Sequence, residues 1–329
     1  MKKGTLLVIL VTLSALLASA QTDDKFKPCG RILGLLFADF HTTFSGEINS
    51  SAFEITRSYL GFDYSFSQKF SSRMLYDATA ETIDGKTLYS GYLRNAYLQY
   101  INSFITLRGG LIGAEQLSVI DRIWDYRYIT KPTIDYSSMV YSADLGITTK
   151  LKAADQLVID LSVTNGRGYK DISPDGTYRI AGGVTITLLK NLIVRGYGDM
   201  MGPSGRMQWT TSVTGAYVSK VFTAGAEYLR QNNHSMNEGY DYSGLSIFTA
   251  VKLTDRISLF ARYDSITSVA PEGASEPWNI ANDGTRLFTG IDFSPARNVR
   301  ISPNFIGYMP SDHNSDFTGT IGLNVEARF

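Results

Sequence analysis

The chain has 329 residues, with 31 basic and 31 acidic side chains, three histidines and one cysteine. Balanced charge argues against nucleic acid or a strongly acidic substrate as partner, and a single cysteine excludes an intrachain disulfide framework. With 43% hydrophobic residues, 20 Tyr and 17 Phe, the composition suits strands better than a polar, disordered chain.

Lys2 and Lys3 precede an apolar run from Leu6 to Leu17, and Ala18-Ser19-Ala20 supplies small residues before Gln21. This reads as a secretory signal peptide over residues 1–20, because the run is shorter than the ~20 residues needed to span a bilayer as a helix. Its removal leaves 29 basic against 31 acidic residues. Residues 21–31 then form a short periplasmic segment carrying Cys29 as an incidental thiol, and residues 32–329 a single domain without linker or low-complexity stretch.

That domain reads as strands from end to end. Ile32–Phe40 is nearly all apolar, whereas in Ile55–Phe66 Leu60, Phe62, Tyr64 and Phe66 alternate with Tyr59, Gly61, Asp63 and Ser65. Phe70–Ala80, Tyr92–Ile101, Phe104–Ile112, Val140–Thr149 and Leu157–Thr164 follow. Tyr178–Leu188, Leu192–Met200, Gln208–Val218, Phe222–Gln231, Ser243–Lys252, Ile257–Ser265, Arg286–Phe293 and Val299–Gly307 continue the pattern. Short turns are expected near Ser67, Asn102, Lys150, Leu189, Ser219, Leu253 and Ser294, with longer polar loops at the other end. Pro303 sits awkwardly in a closed sheet and calls for a bulge or a different strand boundary.

The final stretch is the most informative. Ile321, Leu323, Val325, Ala327 and Phe329 alternate with Thr320, Gly322, Asn324, Glu326 and Arg328. About sixteen such amphipathic strands of roughly ten residues each match a transmembrane antiparallel β-barrel, the non-helical architecture that satisfies every backbone group in lipid. The fold class is therefore all-β. A last strand ending in an aromatic resembles the closing strand of bacterial outer-membrane barrels; the resemblance implies that Phe329 is read by the barrel-assembly machinery, in the outer membrane of a Gram-negative cell.

The polar phase turns Arg57, Arg73, Arg108, Arg179, Arg195, Arg262, Arg286, Arg300 and Arg328 inward. Asp63, Asp77, Asp144, Asp160, Asp199, Glu227, Asp264, Asp292 and Glu326 accompany them. A barrel of this width is expected to hold water, so these charges read as a solvated wall, many of them as inter-strand ion pairs. Ala114–Ser137, the third long loop, carries Glu115, Asp121, Arg122, Trp124, Asp125, Tyr126, Arg127, Tyr128 and Lys131. Such a mixture of charges and flat rings is unusual for a merely exposed loop.

Arg108-Gly109-Gly110, Trp124-Asp125-Tyr126-Arg127-Tyr128 and Val163-Thr164-Asn165-Gly166-Arg167-Gly168-Tyr169 resemble the phosphate-selective porin O and P family, particularly its Bacteroidetes members. The resemblance implies a sixteen-stranded, trimeric, passive channel for small hydrophilic solutes or ions, with phosphate among the anions. As in general porins, the third long loop is then expected to fold inward as the constriction, with Arg57, Arg73, Arg108, Asp121, Arg122, Asp125 and Arg127 around it. One departure concerns selectivity: that family owes its preference to an arginine ladder with lysine clusters, whereas here the inward Arg are matched by acids.

His41, His234 and His313 read as solvated, without a second ligand at metal spacing, so no metal or cofactor is expected. A lipid hydrolase needs a wall-facing His, and none lies inside the strands drawn above. Gly61, Gly146 and Gly183 are strand glycines, not a phosphate cradle. The chain therefore reads as a channel and not an enzyme. The rival reading is a non-conducting barrel acting as surface adhesin or scaffold, whose signature would be long, sticky outer loops.

Overall fold

A computed structural model describes residues 26–171, 176–203 and 206–329. The expected leader, residues 1–20, and the start of the segment after it lie outside the described residues.

Sixteen antiparallel strands form one closed barrel, each paired with its neighbours in sequence. They are β1 (Cys29–Ser45), β2 (Ile48–Ser65), β3 (Phe70–Ile83), β4 (Lys86–Ile101), β5 (Ile105–Gly113), β6 (Ala143–Ala154), β7 (Leu157–Thr164) and β8 (Arg179–Leu188). Then come β9 (Leu192–Met201), β10 (Gln208–Val218), β11 (Phe222–Asn232), β12 (Tyr242–Lys252), β13 (Ile257–Ser268), β14 (Gly284–Ala296), β15 (Val299–Pro310) and β16 (Thr318–Arg328). The expected count of sixteen is found.

Closure comes from β1 pairing with β16 over eleven positions, from Leu35↔Arg328 to Ser45↔Thr318. Phe329 adds to the seam: Gly34 N–H donates to the Phe329 carbonyl (2.8 Å) and Phe329 N–H to the Gly34 carbonyl (3.0 Å). The Phe329 ring lies in the space that a Cβ on Gly34 would take, so a side chain there would displace the ring.

The alternation seen in the sequence is the alternation of the wall. On β10, Gln208, Thr210, Ser212, Thr214 and Ala216 are buried on the inside while Trp209, Val213 and Tyr217 are exposed on the outside. Large apolar side chains stand exposed around the barrel, among them Leu60, Leu98, Ile147, Leu161, Ile186, Ile247, Leu287 and Ile321. A continuous apolar outer surface of this kind is unsuited to water and matches the hydrocarbon of a bilayer. No helix among the described residues is long and apolar enough to cross a membrane.

Several expectations need correction. The gaps after the first and third strands are not long loops: β1 and β2 join through a turn at Gly46-Glu47, and β3 and β4 through Asp84-Gly85, so these four strands run to 17, 18, 14 and 16 residues. Beyond the lipid no greasy face is required, so apolar alternation fades while backbone pairing continues. Cys29 is the first residue of β1, paired with Ser65, and not part of a preceding tail. The turn placed near Lys150 falls at residues 155–156, because β6 continues to Ala154. Pro303 causes neither a bulge nor a boundary: β14–β15 pairing skips from Gly290↔Asn304 to Phe293↔Ile301 in constant register, which omits the hydrogen bond proline lacks. The bulge on that ladder lies further on, between Phe293 and Ala296.

Candidate functional site: the occupied lumen

The connection between β5 and β6 folds into the barrel. It carries α1 (Glu115–Trp124) and a single turn, α2 (Thr133–Tyr136). No side chain caps α1 at its N-terminus, and it stops at Asp125, whose left-handed backbone (φ 59°) turns the chain and returns its N–H to the Asp121 carbonyl (2.8 Å).

Polar bonds pin this segment across half of the wall. Gln116 donates to Ser212 Oγ on β10 (3.0 Å) and to Glu227 on β11 (3.2 Å), and accepts from Arg195 on β9 (2.7 Å). Gln231 donates to the Met139 carbonyl (3.1 Å), and the Tyr242 hydroxyl to the Ser137 carbonyl (2.8 Å). Arg262 on β13 donates to the Lys131 carbonyl and to Thr133 Oγ1, both at 2.9 Å. The Tyr128 hydroxyl donates to Asp292 on β14 (2.6 Å), Arg300 on β15 to the Asp125 carbonyl (2.7 Å), and Asn324 on β16 to the Tyr128 carbonyl (3.1 Å).

Apolar contacts complete the docking. Leu117, Ile134, Met139 and Val140 pack on wall residues Leu229, Tyr197, Tyr242 and Ile266. Ile123, Trp124, Tyr126 and Tyr128 pack on Phe37, Phe248 and Phe260, with Tyr126 stacked on Phe260 at 4.5 Å. The inner wall is thus not uniformly wet. Phe248 and Phe260 share the phase of Ser246, Arg262 and Asp264, and an aromatic in the polar phase of two adjacent strands was the available sign of something greasy docked inside.

The inserted segment changes the state of the wall charges. The expectation of a solvated wall fails along β9–β16: Arg195, Glu227 and Asp264 are at most 1% exposed. They survive burial because each is hydrogen-bonded or paired. Arg195 donates to Asp160 (2.7 Å), Thr185 (2.8 Å) and Gln116, in space that a Cβ on Gly183 would fill. Arg262 forks onto Asp264, and Arg300 donates to Asp292 (2.9 Å).

Beside the segment a cavity of about 370 Å³ remains, between it and β1, β2 and β14–β16. Arg57, Arg127, Lys131 and Arg286 line it, with Asp39 the one acid on its wall. Arg57 donates to the Tyr59 hydroxyl (2.7 Å) and lies 3.7 Å from Asp77, whereas Arg127 is held by Asp121 (2.8 Å) and Asp135 (2.5 Å). Burial alone would lower the Arg127 pKa, but Asp135 and Asp121 more than offset it and hold the guanidinium charged.

Arg286 has no acid. Its guanidinium lies between the Tyr136 ring (4.5 Å) and the Tyr308 ring (4.0 Å), and buried Nη1 lacks a hydrogen-bond partner. Both Arg286 and Tyr136 also border a second cavity of about 370 Å³, with His234, Tyr242 and Trp278. Lys131 makes no ion pair among the described residues. Its side chain is exposed to the lumen yet enclosed by the barrel, and loss of bulk solvation pushes its pKa down; Asp135 opposes this, while Arg57, Arg127 and Lys170 reinforce it.

Of the residues expected around a constriction, Arg57 and Arg127 meet at this cavity, with Asp121 held against Arg127. The others are elsewhere. Arg73 forks onto Asp63 (2.6 and 2.8 Å), which Arg31 also contacts (3.0 Å). Arg108 bridges Gln99 (2.8 Å) and Glu115 (2.5 Å), and Lys150 shares that Glu. Arg122 is exposed, without an ion pair among the described residues, and Asp125 belongs to Arg300. Lys131 and Arg286, the two cations lining this cavity that form no ion pair among the described residues, were visible as a loop lysine and a wall arginine, but only the register brings them together.

The histidines also need correction. β1 extends past His41, which places it inside a strand, facing the lumen and bonded through Nδ1 to Asp39 Oδ1 (2.7 Å). Among the described residues no serine is hydrogen-bonded to its imidazole. His234 is stacked on Trp278 (5.0 Å) and bonded to Gln231 (2.5 Å), with burial holding its pKa below the usual range.

Comparison with known proteins gives the fold independent support. The chain resembles OmpT of Vibrio cholerae in a trimer form, with a TM-score of 0.64 at 15% identity over 92% of this chain and 100% of that one. It is similar to Salmonella typhi OmpF in complex with daunomycin, with a TM-score of 0.68 at 10% identity over 90% and 97%. It is also similar to an anion-selective porin from Comamonas acidovorans, with a TM-score of 0.65 at 8% identity over 92% and 100%. No family model matches the chain, and no curated protein matches it. The likenesses show that this chain shares the closed-barrel fold of those outer-membrane proteins; the finer resemblance to the phosphate-selective family rests on the short motifs quoted above.

Proposed function

We propose that the chain is an outer-membrane porin through which small hydrophilic solutes diffuse passively, with residues 114–137 as its constriction. The observation that carries this is the closed barrel with an apolar exterior and a lumen narrowed by a segment bonded to β9–β16. Pore size and the local field then discriminate among solutes.

Lys131 and Arg286, the cations at the remaining opening that form no ion pair among the described residues, favour anions, inorganic phosphate among them. Arg57 and Arg127 contribute charge already offset by Asp77, Asp121 and Asp135. A trimer fits the porin-type fold, and the adhesin or scaffold reading loses ground because two of the outer connections are two-residue turns.

The test is single-channel recording of the refolded protein in a planar bilayer, with reversal potentials under a salt gradient in chloride and in phosphate. Open steps with an anion-preferring potential are expected, and Arg286→Glu should move that potential toward cations. A folded but silent barrel would overturn the channel reading; an unmoved potential in Arg286→Glu would remove Arg286 from the selectivity path.

A further inference from the structure

Most inward acids of this barrel have a basic partner, but Asp39 and Glu54 form no ion pair with any described Lys or Arg. The two are directly opposite on β1 and β2, and both face the lumen, since Phe40 and Phe53, which follow and precede them, stack together on the outside at 4.6 Å. Like charges directly opposite on neighbouring strands repel and destabilise the pair. His41 stands two residues along β1, on the same face, its Nδ1 bonded to Asp39. On the cavity wall Arg57 is engaged with Tyr59 and Asp77, and Arg127 with Asp121 and Asp135.

We propose that Asp39, His41 and Glu54 bind a divalent transition-metal ion of the zinc class on the lumen wall. One ligand atom from each of the three lies within 4.8 Å of the others. Bonds of ~2.0–2.2 Å to a tetrahedral ion put ligand atoms about 3.4 Å apart, so a modest turn of the side chains closes the set. Room for that turn exists: the positions opposite His41 are Ala52 on β2 and Gly322 on β16. One imidazole with two carboxylates suits zinc, and the rigid cross-strand pair fixes the spacing.

This inference rests on the wall geometry and not on conduction, so a silent barrel should bind as well. The experiment is calorimetric titration of the full, untagged, refolded protein with Zn²⁺, beside the visible absorption of the Co²⁺-loaded protein. One saturable site per chain is expected, with His41→Ala and Glu54→Gln each weakening it by at least about tenfold, the low end of what outer-shell partners alone contribute. His234→Ala should leave the affinity unchanged, and Co²⁺ should show the ligand-field bands of nitrogen and oxygen ligation only while His41 is present. Heat-modified gel mobility reports that each variant is folded. Absence of a saturable site, or affinity indifferent to both substitutions in folded protein, would overturn the proposal.

Discussion

The inner walls formed by β9–β16 and by β1–β4 use the same inward-polar alternation and finish it differently. Along β9–β16 the strands are short, the outer connections carry the sequence onward, and the 114–137 segment covers the charges until Arg195 and Asp264 lose all contact with water. Along β1–β4 the strands run tall, two connections are tight turns, and the upper face of β1 and β2 stays open with Asp39, His41 and Glu54 on it. Asp77 is fully covered there, by the Tyr169 hydroxyl (2.6 Å) from the β7–β8 connection. One side of the lumen is thus a protein interior and the other a channel wall, and a charge means something different on each.

The strongest way to break this contrast is to uncover the first wall. Replacing residues 116–137 with a short Gly-Ser linker should raise single-channel conductance severalfold; unchanged conductance would mean that the segment does not restrict flow. A smaller effect separates the two kinds of ion pair. Arg195→Met leaves Asp160 buried without its partner and should cost about 3–5 kcal/mol in urea unfolding from detergent micelles. Arg73→Met, where Arg73 and Asp63 side chains are 35% and 24% exposed, should cost less than ~1 kcal/mol. Equal losses would erase the distinction.

The smallest expected effect is a titration. Lys131 has its pKa lowered, so as pH rises it loses its charge before ordinary lysines do. Anion preference should therefore weaken as pH rises, before the usual lysine range near ~10.4 is reached. In Lys131→Gln that change should be absent; its persistence would assign the titration to another group.

How much of this was legible in the sequence follows from what lipid demands. Where strands cross hydrocarbon, every second residue must be apolar, and Leu157–Thr164 and Gln208–Val218 could be bounded to the residue. Above the hydrocarbon that demand stops, and Thr42–Ser51 and Glu81–Ser90 look like loops although they pair as strands. The Asp84-Gly85 dipeptide, with φ of 50° and 75°, was the hairpin signal available there. Inward charges were readable from phase alone, but which of them keep an acid depends on partners as far as 175 residues away, as for Arg300 and Asp125. Periodicity carries no such information.

The seam between β1 and β16 also bears on how the molecule is made. Thr43 and Thr320 hydrogen-bond across it (2.9 Å) although 277 residues separate them. The entropy of closing so large a loop exceeds that of a ten-residue hairpin by only about 3 kcal/mol, which eleven paired positions readily offset. Time is the greater obstacle. Until the residues from Thr318 to Phe329 reach Gly34, the other fifteen strands form an open sheet with two raw edges, each a template for wrong pairing. Substituting a bulky residue at Gly34, where the Phe329 ring must lie, should therefore show first as slower closure and more aggregate, before any loss from barrels already closed.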